Sequence, residues 1–375
     1  MNIAINTRFL IKNKMEGFGW YTYELSKRLV EMHPEHHFYF LFDRPYDTSF
    51  VFGKNVTPVV IGLPARHPIL FVLWFEWSVR RALKKHKIDL FFSPDGYLSL
   101  LSKVPQIGTI HDINFEHFPK NIPRIASYYL RFFFPKFAKK AKCLIAVSDY
   151  TKQDVMNKYG IDEDKIAVIH NGASDQFVPL LANEIDEVRK RYTNGKPYFL
   201  FVGSLHPRKN LIRLIEAFEK YVALGHEWDL VIVGENMWKG KKFTLHNQEL
   251  SGSRIHFTGS LKLDELTKVT GAAGALSYVP YFEGFGIPIV EAMKCNVPIL
   301  SGNLTSLPEV AGDAALYCDP YDVESIKEGM IKLTKDDFFR NNLSKIAENR
   351  AKLFSWDKAA KELSAVLFAE KEVKT

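Results

Sequence analysis

Two glutamates bracket a glycine turn in Glu283-Gly-Phe-Gly-Ile-Pro-Ile-Val-Glu291. A carboxylate accepts paired hydrogen bonds from vicinal hydroxyls. Glycines let backbone N–H groups approach a ligand closely, and a helix N-terminus favours phosphate. The segment therefore has the groups needed to hold the hexose, the diphosphate and the ribose of a nucleotide-sugar. Glutamates at helix starts are ordinarily solvated and cap-like. Here Pro280 and the glycines put Glu283 in a loop after an apolar strand. Sheets built from such strands bind ligands outside their carboxyl ends.

Phe201-Val-Gly-Ser-Leu-His-Pro-Arg-Lys-Asn-Leu211 places a turn at Gly203 and two cations, Arg208 and Lys209, between a strand and a helix. Fixed positive charge suits a leaving diphosphate. The bland alternative is a solvated loop, but the glutamate pair in the same half of the chain favours the diphosphate. In the first half, Gly17 and Gly19 lie in Met15-Glu-Gly-Phe-Gly-Trp-Tyr21. They either cradle phosphate or make the turn. A dinucleotide fingerprint would need glycine where Thr22 stands, which argues against a nicotinamide cofactor. His111-Asp112 ends a strand, in position to meet a ligand or to form a local hydrogen bond. Asp162-Glu-Asp164 matches the Asp-x-Asp of some metal-dependent sugar transferases, but it sits in a charged turn and reads as a solvated loop. The other histidines, such as His33, His36 and His37, are scattered and show no zinc-like set.

Short apolar runs alternate with helical patterns. Strands are expected at 2–6, 37–42, 56–61, 90–93, 106–111, 143–148 and 166–170, with helices at 19–32, 69–87, 125–141 and 152–159. The alternation pauses over 171–196, a polar stretch with a charged helix. It restarts with strands at 198–202, 229–233, 255–258, 274–279, 297–301 and 315–318. Helices are expected there at 211–223, 263–270, 288–294, 306–311 and 323–335. This pattern implies parallel sheets covered on both faces. Ser306-Leu-Pro-Glu309 has the spacing of a capping box. The expected organisation is an N-terminal domain over 1–172, a linker over 173–196 and a second domain over 197–354. A last helix at 356–370 need not belong to the second domain.

A chain of 375 residues fits two domains. Its 46% hydrophobic and 25% charged residues are those of a soluble globular protein. A formal charge of +7 favours anionic partners, yet no nucleic-acid motif appears. Cys143, Cys295 and Cys318 are odd in number and far apart, so a reducing cytoplasm is expected and no disulfide framework. The first residues read as a strand and not a signal peptide. No apolar run reaches the roughly 18–20 residues of a membrane span. Two basic-aromatic segments, 71–87 and 128–142, read either as amphipathic helices on a sheet or as helices that also touch an anionic membrane face.

These motifs resemble the retaining glycosyltransferases of family 4, and the likeness covers nearly the whole chain. Its most specific parts are Val-Gly-Ser…Arg-Lys-Asn, Phe257-Thr-Gly-Ser260, the Glu283–Glu291 segment and Ser-Leu-Pro-Glu-Val-Ala-Gly-Asp313. Gly17-Phe-Gly19, His111-Asp112, Val147-Ser-Asp149 and His170-Asn-Gly172 add to it. The resemblance implies an α/β GT-B fold: two Rossmann-like doubly wound domains facing a cleft, with the final helix crossing back to the first. It implies that Glu291 binds the donor ribose. Glu283 meets the transferred hexose, with backbone contacts from Gly284, Phe285 and Gly286, and Ile287 covers the diphosphate. Lys209 neutralises the diphosphate, and Gly19 approaches it. Gly234, Glu235, Phe257, Thr258, Gly259 and Ser260 lie near the base. His111 faces the donor sugar and Asp112 the acceptor. One departure stands out: many members carry Arg where Ser204 follows Gly203, so either Arg208 supplies the second charge or the donor pocket differs. The family needs no divalent metal or other cofactor and retains the anomeric configuration.

The Ser-Leu-His-Pro-Arg-Lys-Asn loop looks like that of bacterial mannosyltransferases using GDP-mannose. The implied acceptor is a glycan, free or lipid-linked, in polysaccharide synthesis at the cytoplasmic face. Competing readings are a UDP-glucose, UDP-galactose or UDP-N-acetylhexosamine donor, a GT-B nucleotide-sugar epimerase, and a non-catalytic sugar-binding protein.

Overall fold

The structure is a computed structural model that describes residues 1–15, 17–62, 68–235 and 254–369. Glu16 and the end of the last expected helix, Glu370, lie outside the described residues. The chain divides into two compact units, Met1–Asn171 with Trp356–Thr375, and Gly172–Ser355.

The first unit opens with β1 (Asn2–Asn6), α1 (Gly17–Met32), β2 (His37–Phe42) and β3 (Val56–Val60). Next come α2 (Pro68–Leu73), a π-helical turn (Trp74–Val79) and α3 (Arg80–Lys85). The unit continues with β4 (Leu90–Ser93), β5 (Gln106–Ile110), α4 (Asn114–His117), α5 (Arg124–Lys140), β6 (Cys143–Ala146), α6 (Asp149–Tyr159) and β7 (Ile166–Val168). Its seven strands are all parallel, in the order β3-β2-β1-β4-β5-β6-β7. The order reverses direction between β1 and β4, the switch point where such sheets bind ligands. The expected helix over 69–87 is interrupted by the π turn. Glu76 sits in that turn and accepts from the amides of Leu100 (2.7 Å) and Leu101 (2.9 Å), which pins the loop after β4.

The second unit begins with α7 (Ala182–Thr193), so residues 173–196 are part of it and not a separate linker. Arg189 donates to the Ala272 carbonyl (3.0 Å), and the Tyr192 hydroxyl donates to Glu265 (2.7 Å). Then follow β8 (Tyr198–Val202), α8 (Leu211–Ala223), β9 (Asp229–Val233), β10 (Ile255–Gly259), α9 (Leu263–Gly271) and β11 (Ala275–Tyr278). The rest is α10 (Ile287–Lys294), β12 (Ile299–Gly302), α11 (Leu307–Ala311), β13 (Ala315–Cys318), α12 (Val323–Lys335) and α13 (Asp337–Ala351). The six parallel strands run β10-β9-β8-β11-β12-β13, with the switch between β8 and β11. β8 is apolar at every position because helices cover both faces of the sheet. α8 buries Leu211, Leu214, Ile215, Phe218 and Tyr221, one stripe at helical spacing.

Among the described residues, two α-helices escaped the sequence reading, α4 and α13. α13 has a sequence signal in Asp336, whose side chain accepts from the Phe339 amide at 2.8 Å as an N-cap. The last helix, α14 (Trp356–Phe368), belongs to the first unit. Trp356 meets Tyr21 edge-on, with centroids 6.0 Å apart, and Asp357 accepts from Arg28 Nε at 2.6 Å.

Candidate active site

The switch point of the second unit gathers the charged residues singled out in the sequence. β8 ends at Val202, just before Gly203, and the short 3-10 turn Pro207–Lys209 carries Arg208 and Lys209 back over the sheet. β11 leads through Pro280 to Glu283. Arg208 Nη1 donates to Glu283 Oε1 at 2.7 Å, and the Lys209 ammonium forms an ion pair with the same oxygen. Lys209 also donates to the Tyr278 hydroxyl at 2.7 Å. Glu283 is 6% exposed and Lys209 9%. Burial alone would push the Glu283 pKa up. Arg208 and then Lys209 outweigh it and hold the carboxyl at about 2, so it is ionised throughout the physiological range.

The frame around Glu283 is equally built. Its amide donates to Thr305 Oγ1 at 3.3 Å, and its carbonyl accepts from Ser306 Oγ at 3.0 Å. Ser306 was expected to open a capping box with Glu309. Its hydroxyl makes no cap bond and is spent on Glu283 instead. Thr305 adopts φ +58°, a costly conformation for a β-branched residue, kept at the loop that carries Glu283. Gly284 and Phe285 are buried, and Phe285 meets Phe354 edge-on at 5.6 Å. Gly286 caps α10 at φ +96°, where a Cβ would also come within 3.0 Å of Leu307 Cδ2. Ile287 is the first residue of α10, and Glu291 lies one turn further in. Glu291 is half-buried, and its carboxylate has no hydrogen-bond or ion-pair partner among the described residues. Burial alone raises its pKa to about 7. The two glutamates are thus in opposite states: one neutralised by two cations, the other waiting for donors.

The strand ends beside this cluster carry the residues expected near the base. Gly203, at φ +151°, donates to the Val233 carbonyl (3.0 Å), and Gly234 donates to Gly259 (2.9 Å). A Cβ on Gly234 would sit 1.9 Å from the Gly203 carbonyl oxygen, so glycine there is dictated by backbone packing. The Glu235 carbonyl accepts from the Leu205 amide at 3.0 Å. Phe257 is 46% exposed, and Ser260 is exposed. Thr258 Oγ1 donates to the Gly259 carbonyl at 2.9 Å. Ser204, where many family members carry Arg, offers its carbonyl to the His206 amide at 2.7 Å. Arg208 therefore stands as the second cation beside Lys209.

Sequence reasoning missed Tyr278 and gave Asn210 no role. Asn210, at φ +59°, donates from Nδ2 to the carbonyls of Val279 (2.9 Å) and Pro320 (2.7 Å). It ties the Arg208–Lys209 turn to the ends of β11 and β13. An Asn at a strained turn directly after two cations was the available signal.

In the first unit, His111 follows β5. Its Nε2–H donates to the Pro94 carbonyl at 2.8 Å, which leaves Nδ1 as the acceptor. The ring meets Phe18 and Tyr21 edge-on at 4.7 and 4.6 Å. Burial lowers its pKa, against the opposing pull of the Pro94 bond and Asp112, so the imidazole is neutral at pH 7. Asp112 accepts from the amide and side chain of Asn114, the first residue of α4. Gly17 is the first residue of α1 and is exposed, with open space where a Cβ would be. Gly19 is buried, and a Cβ there would come 2.8 Å from the Phe9 carbonyl oxygen. Gly17 is thus available to a ligand, while Gly19 is needed by the fold.

A buried pair at the first switch point was not foreseen. Arg8 Nε donates to Asp95 Oδ2 at 2.7 Å, and Asp95 Oδ1 accepts from Asn6 and Ser93, each at 2.9 Å. The guanidinium lies 4.4–5.4 Å from the ring centroids of Phe9, Phe71, Phe75 and Tyr97. Asp95 directly follows Pro94, so this pair fixes the carbonyl that orients His111. Asp162-Glu-Asp164 lies in an exposed turn, with Glu163 paired to Lys152 at 3.0 Å. His37 Nε2 lies 2.7 Å from Thr57 Oγ1. His33 and His36 are not scattered in space: with Glu35 they converge between α1 and β2.

The family model described as Glycosyltransferase Family 4 matches residues 15–177, and that described as Glycosyl transferases group 1 matches residues 183–350. Between them they span both units. The chain belongs to the family 4 glycosyltransferases. This glycosyltransferase is 28% identical over 363 residues to O-antigen chain mannosyltransferase B of Escherichia coli, covering 92% of this chain and 94% of that protein. It is 28% identical to O-antigen chain mannosyltransferase RfbU of Salmonella typhimurium, with 69% of each chain covered. Anabaena HepE, solved with UDP-glucose, superimposes with a TM-score of 0.77 over 99% of this chain and 100% of that one, at 16% identity. That likeness gives the fold, GT-B, to this glycosyltransferase.

Proposed function

We propose that this glycosyltransferase moves a mannosyl residue from GDP-mannose to a glycan hydroxyl, with retention of configuration and without a metal ion, in bacterial polysaccharide synthesis. The observation that carries the reading is the contrast between Glu283, held by Arg208 and Lys209, and the unpartnered Glu291 one helical turn past Gly286. Two fixed cations at the N-terminus of α10 supply the charge a leaving diphosphate needs. Glu291, once ionised, accepts the two ribose hydroxyls. Glu283 is anionic and already engaged, which suits holding hexose hydroxyls better than attacking the anomeric carbon. The reaction is then a same-face displacement in which the leaving diphosphate takes the acceptor proton, and the protein positions and stabilises charge. The mannosyltransferase names of the relatives support the choice of sugar.

A thermal-shift series with GDP-mannose, GDP, UDP-glucose and UDP-galactose tests the donor. A ligand at a hundredfold excess over its Kd adds about 2.7 kcal/mol of stability. The reading requires the GDP compounds to shift Tm and the UDP-sugars not to. Conversion of the donor to an epimer without acceptor would instead support the epimerase class. Activity after exhaustive chelation tests metal independence.

A lipid-linked acceptor fits the outer face of α5. The inner face packs Tyr129, Phe134 and Phe137 into the core, while Ile125, Tyr128 and Phe132 are 62%, 74% and 57% exposed beside Arg124 and Lys136. Trp77, 65% exposed, extends the aromatic set near α2, which packs on α5 through Phe71 and Tyr129 at 5.7 Å. No helix of the described residues is long and apolar enough to cross a membrane. Surface contact is therefore proposed, tested by co-sedimentation with phosphatidylglycerol vesicles and lost in Tyr128→Ser/Phe132→Ser.

A further inference from the structure

The turn between α1 and β2 gathers three side chains of metal-ligating type. His33 Nδ1 lies 3.0 Å from Glu35 Oε1, and His36 Nε2 lies 3.6 Å from the same oxygen. One donor atom from each residue lies within 4.8 Å of the other two. The imidazoles stack with centroids 5.4 Å apart and planes 9° apart. α14 holds them from behind. Ser364 Oγ lies 2.6 Å from His33 Nε2, and the Phe368 ring covers both histidines at 4.4 and 4.6 Å. None of these groups takes part in the sugar-transfer site.

Glu35 Oε1 can accept from an N–H of each neutral imidazole, and a divalent ion bound among the three groups would replace those two N–H contacts. A divalent ion satisfies all three and lets His33 Nε2–H donate to Ser364 Oγ, the outer hydrogen bond that sets the tautomer of a metal-bound histidine. Two imidazoles and one carboxylate suit zinc, copper or nickel, whereas magnesium and calcium take oxygen ligands. Tetrahedral zinc at about 2.0–2.1 Å from its ligands wants donor atoms roughly 3.3 Å apart. The Glu35 side chain, 58% exposed, has room to make the required adjustment.

We propose that His33 Nδ1, Glu35 and His36 Nε2 form a zinc-class divalent-cation site that clasps α14 to the α1–β2 turn through Ser364. Three protein ligands leave a fourth position for water. The test uses the full-length protein freed of metal by dialysis against a chelator. It is titrated with Zn²⁺ by calorimetry and with Co²⁺ by visible spectroscopy, beside Glu35→Gln, His36→Gln and Ser364→Ala. Wild type is expected to bind one ion per chain, to give the d–d absorption of four-coordinate Co²⁺ and to gain Tm with Zn²⁺ but not with Mg²⁺. Ser364→Ala should bind Zn²⁺ about 10–100-fold more weakly. Glu35→Gln and His36→Gln should each lose at least about tenfold by losing a ligand. Glu35 is exposed, so Glu35→Gln keeps the fold and the comparison stands if His36→Gln does not. Absence of binding by wild type overturns the proposal and leaves the cluster as imidazole-to-carboxylate hydrogen bonds. Equal affinity in wild type and Glu35→Gln also overturns it, because the ion would then bind elsewhere.

Discussion

Glu291 has its ionisation midpoint near neutrality, which makes it the most informative residue to titrate. Its folded pKa is raised from 4.5 to about 7 by burial. Between those values the folded protein keeps a proton that the unfolded chain has released. Stability therefore falls as pH rises through that window and stays reduced above it. The full effect is on the order of 2 kcal/mol, discounted for partial solvent access. Glu291→Gln is expected to be more stable than wild type at pH 8 and indistinguishable at pH 4, measured by urea unfolding. The same variant should bind donor more weakly at pH 8, because the ribose hydroxyls lose their anionic acceptor. At the neighbouring pair, Lys209→Ala is expected to lower kcat by about 10²–10³, the usual effect of removing a preorganised charge. Steady-state kinetics at saturating donor would measure this, and an unchanged kcat would remove Lys209 from the chemistry.

At the scale of elements, glycines and buried ion pairs decide what holds. Gly234→Ala puts a Cβ against the Gly203 carbonyl oxygen, while Gly17→Ala meets nothing. The first should lower Tm sharply and disturb the ends of β8 and β9. The second should leave Tm unchanged and reduce transfer only if a ligand approaches Gly17. Asp95→Asn leaves Arg8 buried without its counter-charge, a loss of about 3–5 kcal/mol for a broken buried pair. A double variant, Arg8→Met/Asp95→Asn, should recover much of that stability. Denaturation midpoints of the three proteins decide the point. The recovered variant should still transfer sugar poorly if the Pro94 carbonyl must hold His111 in place.

Over the whole molecule, the +7 charge and the return of α14 to the first unit matter most. Donor binding and vesicle binding should both weaken as ionic strength rises, because screening shortens the reach of the cations to about 10 Å at 0.1 M salt. Vesicle binding should be the more sensitive, since it relies on exposed residues. Truncation after Ser355 removes Trp356, Ala360, Leu363 and Leu367, all buried. Each large side chain contributes roughly 1.5–3 kcal/mol. The first unit should then unfold at a lower temperature, seen as a separate early transition by calorimetry.

The alternation of apolar runs and helical stripes in the sequence determined the thirteen strands and nearly every helix of the described residues, because parallel strands buried on both faces leave a continuous apolar signature. It also pointed to Glu283, Arg208 and Lys209, which lie in loops after strands, and to Glu291 in the helix that follows. Only the tertiary structure decided how those charges are used. That Arg208 and Lys209 share one oxygen of Glu283, that Ser306 leaves its cap position to hold the Glu283 carbonyl, and that Arg8 meets Asp95 are contacts between residues 23 to 87 positions apart. The gathering of His33, Glu35 and His36 against Ser364 needed α14 to pack back on the first unit. His33, Glu35 and His36 are neighbours in sequence, but no local spacing encodes their meeting with Ser364 or the other contacts. They follow from where the sheet order brings the strand ends, and from burial, which sets the charge state of each group it encloses.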